Sequence, residues 1–150
     1  MIVVKKFTLL SLILLFILGC GLFNGVAQER QEQNEAISGG TELGEIVMAE
    51  GIGGGNTPVG ATDTFDSSQD VIYAVAEANR IEEGTSMFAR WSRDGQPFED
   101  SPEIVADRDY SDTYVEFHLE NLTNQMEEGD YTVQIFVNGN PVREADFTVE

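Results

Sequence analysis

Cysteine occurs once in these 150 residues, histidine once and tryptophan once, and lysine is absent after Lys6. A single cysteine excludes an internal disulfide and a thiolate metal cluster. One histidine, His118, leaves a zinc site short of ligands and gives a nucleophile no evident base, and the alternation around it places it on the solvent face of a strand. Positive charge is scarcer still: from Cys20 onward all 27 Asp and Glu stand against six arginines, a net charge of −21. A surface of that sign repels phosphate backbones and anionic headgroups, which excludes nucleic acid as a partner. The acidity reads first as solubility, and second as a site for cations or a basic partner.

Long apolar runs are limited to one. "MIVVKKFTLLSLILLFILGCG" sets two lysines before an apolar stretch from Phe7 to Leu18, and small Gly19 follows. That order is the order of a secretory signal. The 12 residues from Phe7 to Leu18 fall short of the roughly 20 that a spanning helix needs. The ending Ile17-Leu18-Gly19-Cys20 resembles the lipobox of bacterial lipoproteins. The resemblance implies cleavage before Cys20 and covalent acylation of Cys20. It places the protein at the cell membrane or outer membrane, lipid-anchored on the extracytoplasmic face, with several acyl chains giving stable attachment.

Residues 1–19 therefore read as a signal peptide and 20–44 as the lipidated cysteine with a disordered tether. "GLFNGVAQERQEQNEAISGGTELG" is rich in Gln, Glu and Gly and has no sustained apolar stripe, so it cannot bury enough surface to offset the entropy of ordering. As a flexible coil it reaches roughly 25–30 Å.

From Glu45 to Glu150 the texture changes to short alternating runs between turn signals, the pattern of an all-β antiparallel sandwich. "TYVEFHL" sets Val115, Phe117 and Leu119 on one face; "YTVQIFV" sets Tyr131, Val133, Ile135 and Val137 inward. Asn138-Gly139 predicts a tight hairpin to a strand with Ala145, Phe147 and Val149 inward. "DVIYAVAEA" is apolar on both faces, as a central strand is, and Met87, Ala89 and Trp91 share a face before an Asp94-Gly95 turn. The loop "GIGGGNTPVG" has no Gly-Lys-Ser/Thr after its glycines and reads as a flexible crossing between sheet edges.

About seven strands, Trp91 in the third strong one, and "MEEGDYTV" with Met126, Gly129 and Tyr131 in a tyrosine-corner arrangement resemble the immunoglobulin-like sandwich. The resemblance implies that Trp91 is buried and that the Tyr131 hydroxyl bonds to backbone upstream. Val133 stands where disulfide-bearing members carry cysteine, so packing alone must hold the core. "TDTFDSSQDVIYAV", "ARWSRDG" and "GDYTVQIFVNGNPV" are also similar to domains of uncharacterised bacterial extracytoplasmic proteins.

Several candidate chemistries follow. Asp107-x-Asp109 with Asp112, in the acidic stretch "EDSPEIVADRDYSD", resembles the start of a calcium loop but lacks Gly at the sixth position and Glu at the twelfth. An irregular calcium site, with Asp63, Asp66 or Asp70 elsewhere, stays open beside the plain reading as a solvated loop. Beyond that weak calcium option and the lipid on Cys20, no cofactor is implied. Phe88, Arg90 and Phe136 lie on the outward face of neighbouring strands and form a candidate binding patch, set against simple cross-strand support of the sheet. The leading expectation is a non-enzymatic binding or accessory module of the envelope, touching a membrane by its lipid and a protein or glycan by its domain. The alternatives are a protease-inhibitor-like domain using a loop at Asn79 to Gly84 and a small glycan-active enzyme with two carboxylates in a cleft.

Overall fold

The computed structural model describes residues 40–121 and 126–150. The signal-like run, Cys20 and residues 21–39 of the tether lie outside the described residues. Within them the chain forms β1 (Glu42–Ile52), β2 (Pro58–Ala61), β3 (Thr64–Phe65), β4 (Val71–Ile81), β5 (Ser86–Arg93), β6 (Gln96–Asp100), β7 (Ile104–Val105), β8 (Tyr110–Glu120), β9 (Gly129–Val137) and β10 (Asn140–Val149). Two sheets result, one ordered β2-β1-β4-β8 and the other β3-β10-β9-β5-β6, with β7 also on β5. All pairings are antiparallel except β3 with β10.

This is the immunoglobulin-like arrangement. Strands β1, β4 and β8 take the places of the first, second and fifth strands in one sheet, and β5, β9 and β10 those of the third, sixth and seventh in the other. The fourth strand of that plan would lie beside β8; here the chain between β5 and β8 stays with β5, as β6 and β7.

The period-2 pattern explains the layers. Val115, Phe117 and Leu119 of β8 are buried opposite Ala76, Ala74 and Ile72 of β4. The small inner row of β4 faces a bulky one on the second sheet, where Met87, Ala89, Trp91, Val133, Ile135 and Val137 are buried. Trp91 is fully buried with its ring edge-on to Phe147, which stacks on Tyr131 and meets Phe65 edge-on. Its indole N–H has no hydrogen-bond partner among the described residues. Such a gap costs about 1–3 kcal/mol, comparable to what burying the ring returns.

Turns close as the residue types require. Asn138 and Gly139 have φ of 49° and 80°, and Asp94 and Gly95 have 49° and 75°, both pairs in the left-handed region that suits tight hairpins. The Tyr131 hydroxyl donates to the Glu127 carbonyl oxygen at 2.7 Å, closing the tyrosine corner. Gly129 sits there at φ 152°, a backbone conformation L side chains rarely adopt, and a β-carbon would also crowd the Arg93 Nε at 3.2 Å.

Three expectations change. The first strand starts at Glu42, inside the stretch read as tether, with Leu43 buried. The glycine loop is not a crossing between sheets: Gly51 and Ile52 belong to β1, Gly54–Asn56 make one 3-10 turn, and β2 folds back on β1 as a hairpin. The switch of sheet comes later, between β2 and β3. Among the described residues the strand number rises from about seven to ten because β2, β6 and β7 are too short, and too exposed, to show a period.

One long edge of the sandwich is sealed. The register of β1 shifts between Glu42 and Ile46, freeing carbonyls from the ladder. Arg143 of β10 donates to them, its Nη2 to the Leu43 oxygen and its Nε to the Gly44 oxygen at 3.1 Å.

Candidate functional site

The predicted patch residues do come together. Phe88 of β5 and Phe136 of β9 are directly opposite across the ladder and stack with ring centroids 4.6 Å apart and planes 8° from parallel. The Arg90 guanidinium lies 5.2 Å from the Phe136 ring and 5.8 Å from Phe88. Their exposure differs from expectation: Phe136 is only 9% exposed and Phe88 is half-buried. Arg90 is held in turn by Asp100 of β6 through two bonds of 2.7 Å. That pairing holds the Asp100 carboxyl below its usual range and raises Arg90. The geometry is that of a cross-strand staple under a fixed cation, which supports the sheet.

The calcium candidates do not converge. Asp107 accepts the Tyr110 hydroxyl, which lowers the Asp107 pKa and raises that of Tyr110. Asp109 accepts the Glu83 backbone N–H at 2.8 Å, and Asp112 sits at φ 49° within β8. Asp66 caps its own turn by accepting the backbone N–H and hydroxyl of Ser68, which lower its pKa. Among the described residues no group of three or more His, Cys, Asp or Glu is placed to hold a metal ion. Asp66, Asp107 and Asp109 each accept from a different group, which spacing alone does not reveal.

The loop expected at Asn79 to Gly84 is mostly not a loop. Asn79 to Ile81 finish β4, and the turn after them is tied down: Gly84 N–H to the Ala106 oxygen, Thr85 N–H to the Glu82 oxygen, and Glu83 to Asp109. His118 is exposed on the outer sheet face as expected, 3.2 Å from Glu116 and beside the Tyr73 ring.

Among the described residues two recesses stand out. One, of about 490 Å³, is lined by Asp63, Asp130 and Asp146 with neighbouring threonines, Tyr131 and Phe147. Two of its three carboxylates accept from threonines, Asp146 from the Thr132 hydroxyl at 2.8 Å and Asp63 from the Thr64 hydroxyl at 3.4 Å. The other, of about 620 Å³, has an apolar floor of Pro97, Phe98, Leu119, Met126 and Tyr131 with Glu99, Glu120 and Glu127 at its rim. Burial raises the pKa of the Tyr131 hydroxyl there, with Arg93 opposing.

This second recess lies on the side opposite the Arg143 seam. Strands β5 and β8 face each other across the sandwich, so β6 and β7, which continue beyond β5, border the same side as the free edge of β8. No described strand pairs with that edge. Phe98 touches the inward ring of Tyr131 edge-on at 6.0 Å, yet is 51% exposed among the described residues. Ile104 and Val105 of β7 are exposed too. Sequence reasoning missed Phe98, because five residues flanked by Pro and acids carry no usable alternation.

No family model matches this chain, and no curated protein does. Among solved structures, it is similar to the alkylpurine DNA glycosylase AlkC of Pseudomonas fluorescens (12% identity, TM-score 0.42, 83% of this chain and 35% of that one). It is similar as well to a superoxide reductase (neelaredoxin) of Ignicoccus hospitalis (15%, 0.42, 81% and 92%). A third is the CARDB domain of a Pyrococcus furiosus protein solved with di-metal ions (13%, 0.41, 73% and 93%). The match spans about a third of the glycosylase. Likeness at this level transfers no activity, and the immunoglobulin-like assignment stands on the strand order given above.

Proposed function

We propose that this chain is a lipid-anchored, extracytoplasmic binding module of a bacterial cell envelope, acting without catalysis. The observation that carries the reading is the run Lys5-Lys6, Phe7 to Leu18 and Ile17-Leu18-Gly19-Cys20, placed ahead of a polar stretch and an acidic β sandwich. Cys20 fixes the place, the polar stretch supplies reach, and the sandwich presents a surface to a protein or glycan. Exposed Phe98, Ile104 and Val105 support the binding part, since apolar side chains gathered on one side of a highly charged domain mark contact surfaces. The Phe88 and Phe136 pair serves that role less well, being stacked and capped.

Metabolic labelling with an alkyne fatty acid tests the anchor. Wild type takes up label and fractionates with membranes, and Cys20→Ser does neither. Label retained on the serine variant, or none on wild type, overturns the reading.

A further inference from the structure

We infer that the open side of the sandwich receives an extended, positively charged segment of a partner protein, which adds as a strand along β8 and seats an apolar side chain beside Phe98. The inference rests on the reading as a binding module and does not depend on the lipid.

The backbone makes the first argument. β8 pairs with β4 in one register, and from Thr113 to Glu120, past the left-handed Asp112, every residue has its partner. Every second residue on such a strand points its N–H and C=O away from its partner, a ready template for another strand. Proteins blunt such edges with proline, lysine, bulges or short length. Thr113–Glu120 contains neither proline nor lysine, no shift interrupts its pairing, and its acidic side chains are Glu116 and Glu120. The other edges differ: β2 has four residues and β3 two.

Side chains make the second. A strand added to β8 would extend the four-stranded sheet over the side bordered by β6 and β7, so its inward residues would meet Phe98, Ile104 and Val105. Near Glu120 the recess floored by Phe98, Leu119, Met126 and Tyr131 is large enough for one bulky side chain. Main-chain bonds with pockets for alternate side chains are the two parts of recognition by strand addition.

Charge selects the occupant. Glu116 and Glu120 lie on the strand, Glu99 and Glu127 rim the recess, and Arg93 is already paired with Glu127. A second copy pairing β8 with β8 would bring like charges together, which is destabilising. A basic strand would neutralise them.

The test uses the full chain in detergent micelles and the peptide acetyl-KVKFKVK-amide, in three forms: unmodified, N-methylated at every lysine, and N-methylated at the Val and Phe positions. Each methylated form blocks one strand edge while keeping charge and side chains. The unmodified peptide should bind by fluorescence anisotropy, more weakly as salt rises, and should protect β8 amides from hydrogen exchange. One methylated form should lose about tenfold or more in affinity, as expected for losing several hydrogen bonds; the other should bind as before. Phe98→Ala, at a half-exposed position, should weaken binding about fivefold while the protein stays folded with only a small drop in melting temperature, the size expected for part of a buried aromatic contact. Equal binding of both methylated forms reduces the attraction to charge and overturns the proposal. So does protection confined to another strand, or protection in the free protein of those β8 amides that point away from β4, which would assign the edge to the chain itself or to a second copy. Loss of acyl labelling with retained strand addition would sink the anchor and leave this inference standing.

Discussion

Replacing Arg143 by Met keeps most of the aliphatic stem and removes the guanidinium that joins β10 to β1. The Leu43 and Gly44 carbonyls then lose their donor at the place where the β1 register shift has taken them out of the sheet ladder. Leaving a polar group without its partner costs about 1–3 kcal/mol when buried, so two partly covered carbonyls should cost about 3 kcal/mol together. With a urea slope of about 1.5 kcal/mol per molar for a domain of this size, the unfolding midpoint should fall by about 2 M with the slope unchanged. Arg143→Lys should recover about half, because a single ammonium cannot serve two carbonyls in the planar geometry of the fork. Hydrogen exchange should show Glu42 to Ile46 opening ahead of the rest. A midpoint shift below about 0.3 M for the Met variant would mean that water serves these carbonyls as well, and the seam argument would fail.

Phe136→Ala should cost about 3 kcal/mol and Phe88→Ala about half that, and a double-mutant cycle in urea should give a coupling of about 1 kcal/mol for the stacked pair; independent, additive effects would contradict the staple. Stability should also fall in acid. Asp66, Asp100 and Asp107 all have carboxyl pKa values held below the ordinary 3.8 by hydrogen bonds from Ser68, Arg90 and Tyr110. Folded values below unfolded ones mean that the native state binds fewer protons, so this contribution is present above about pH 4 and is lost as pH falls through the folded values. Asp100→Asn should flatten the acid limb of a thermal-denaturation profile between pH 4 and 2 relative to wild type; an identical limb would show that the Arg90 pair makes no difference to folding.

How much of this was readable before the structure depends on how local each cause is. The alternation in β8, β9 and β10, the two tight turns and the Tyr131 corner are set by neighbours within a few residues, and each sits where its residues put it. The Phe88 and Phe136 pairing follows from register, but coverage does not: which side chains lie over a face depends on Arg90 and its Asp100 tie, ten residues further along. Arg143 acts on carbonyls about a hundred residues away, freed by an irregularity that no periodicity announces. The open side of the sandwich is least legible of all. It arises because residues 96–105 pair with β5 instead of β8, and those residues, mostly exposed, carry no pattern that distinguishes the two partners.

The parallel pairing of β3 with β10 sets a condition on time. Thr64 and Phe65 find their partners in Thr148 and Val149, which the ribosome adds after the other described strands. Until then Phe65 has no sheet of its own and the ring of Phe147, which it meets edge-on, has not been made. Closure is therefore a late event, and a topology dominated by such distant pairings condenses in milliseconds to seconds. The sandwich therefore stays unlatched at β3 until β10 has been made, whatever the order in which the other strands pair.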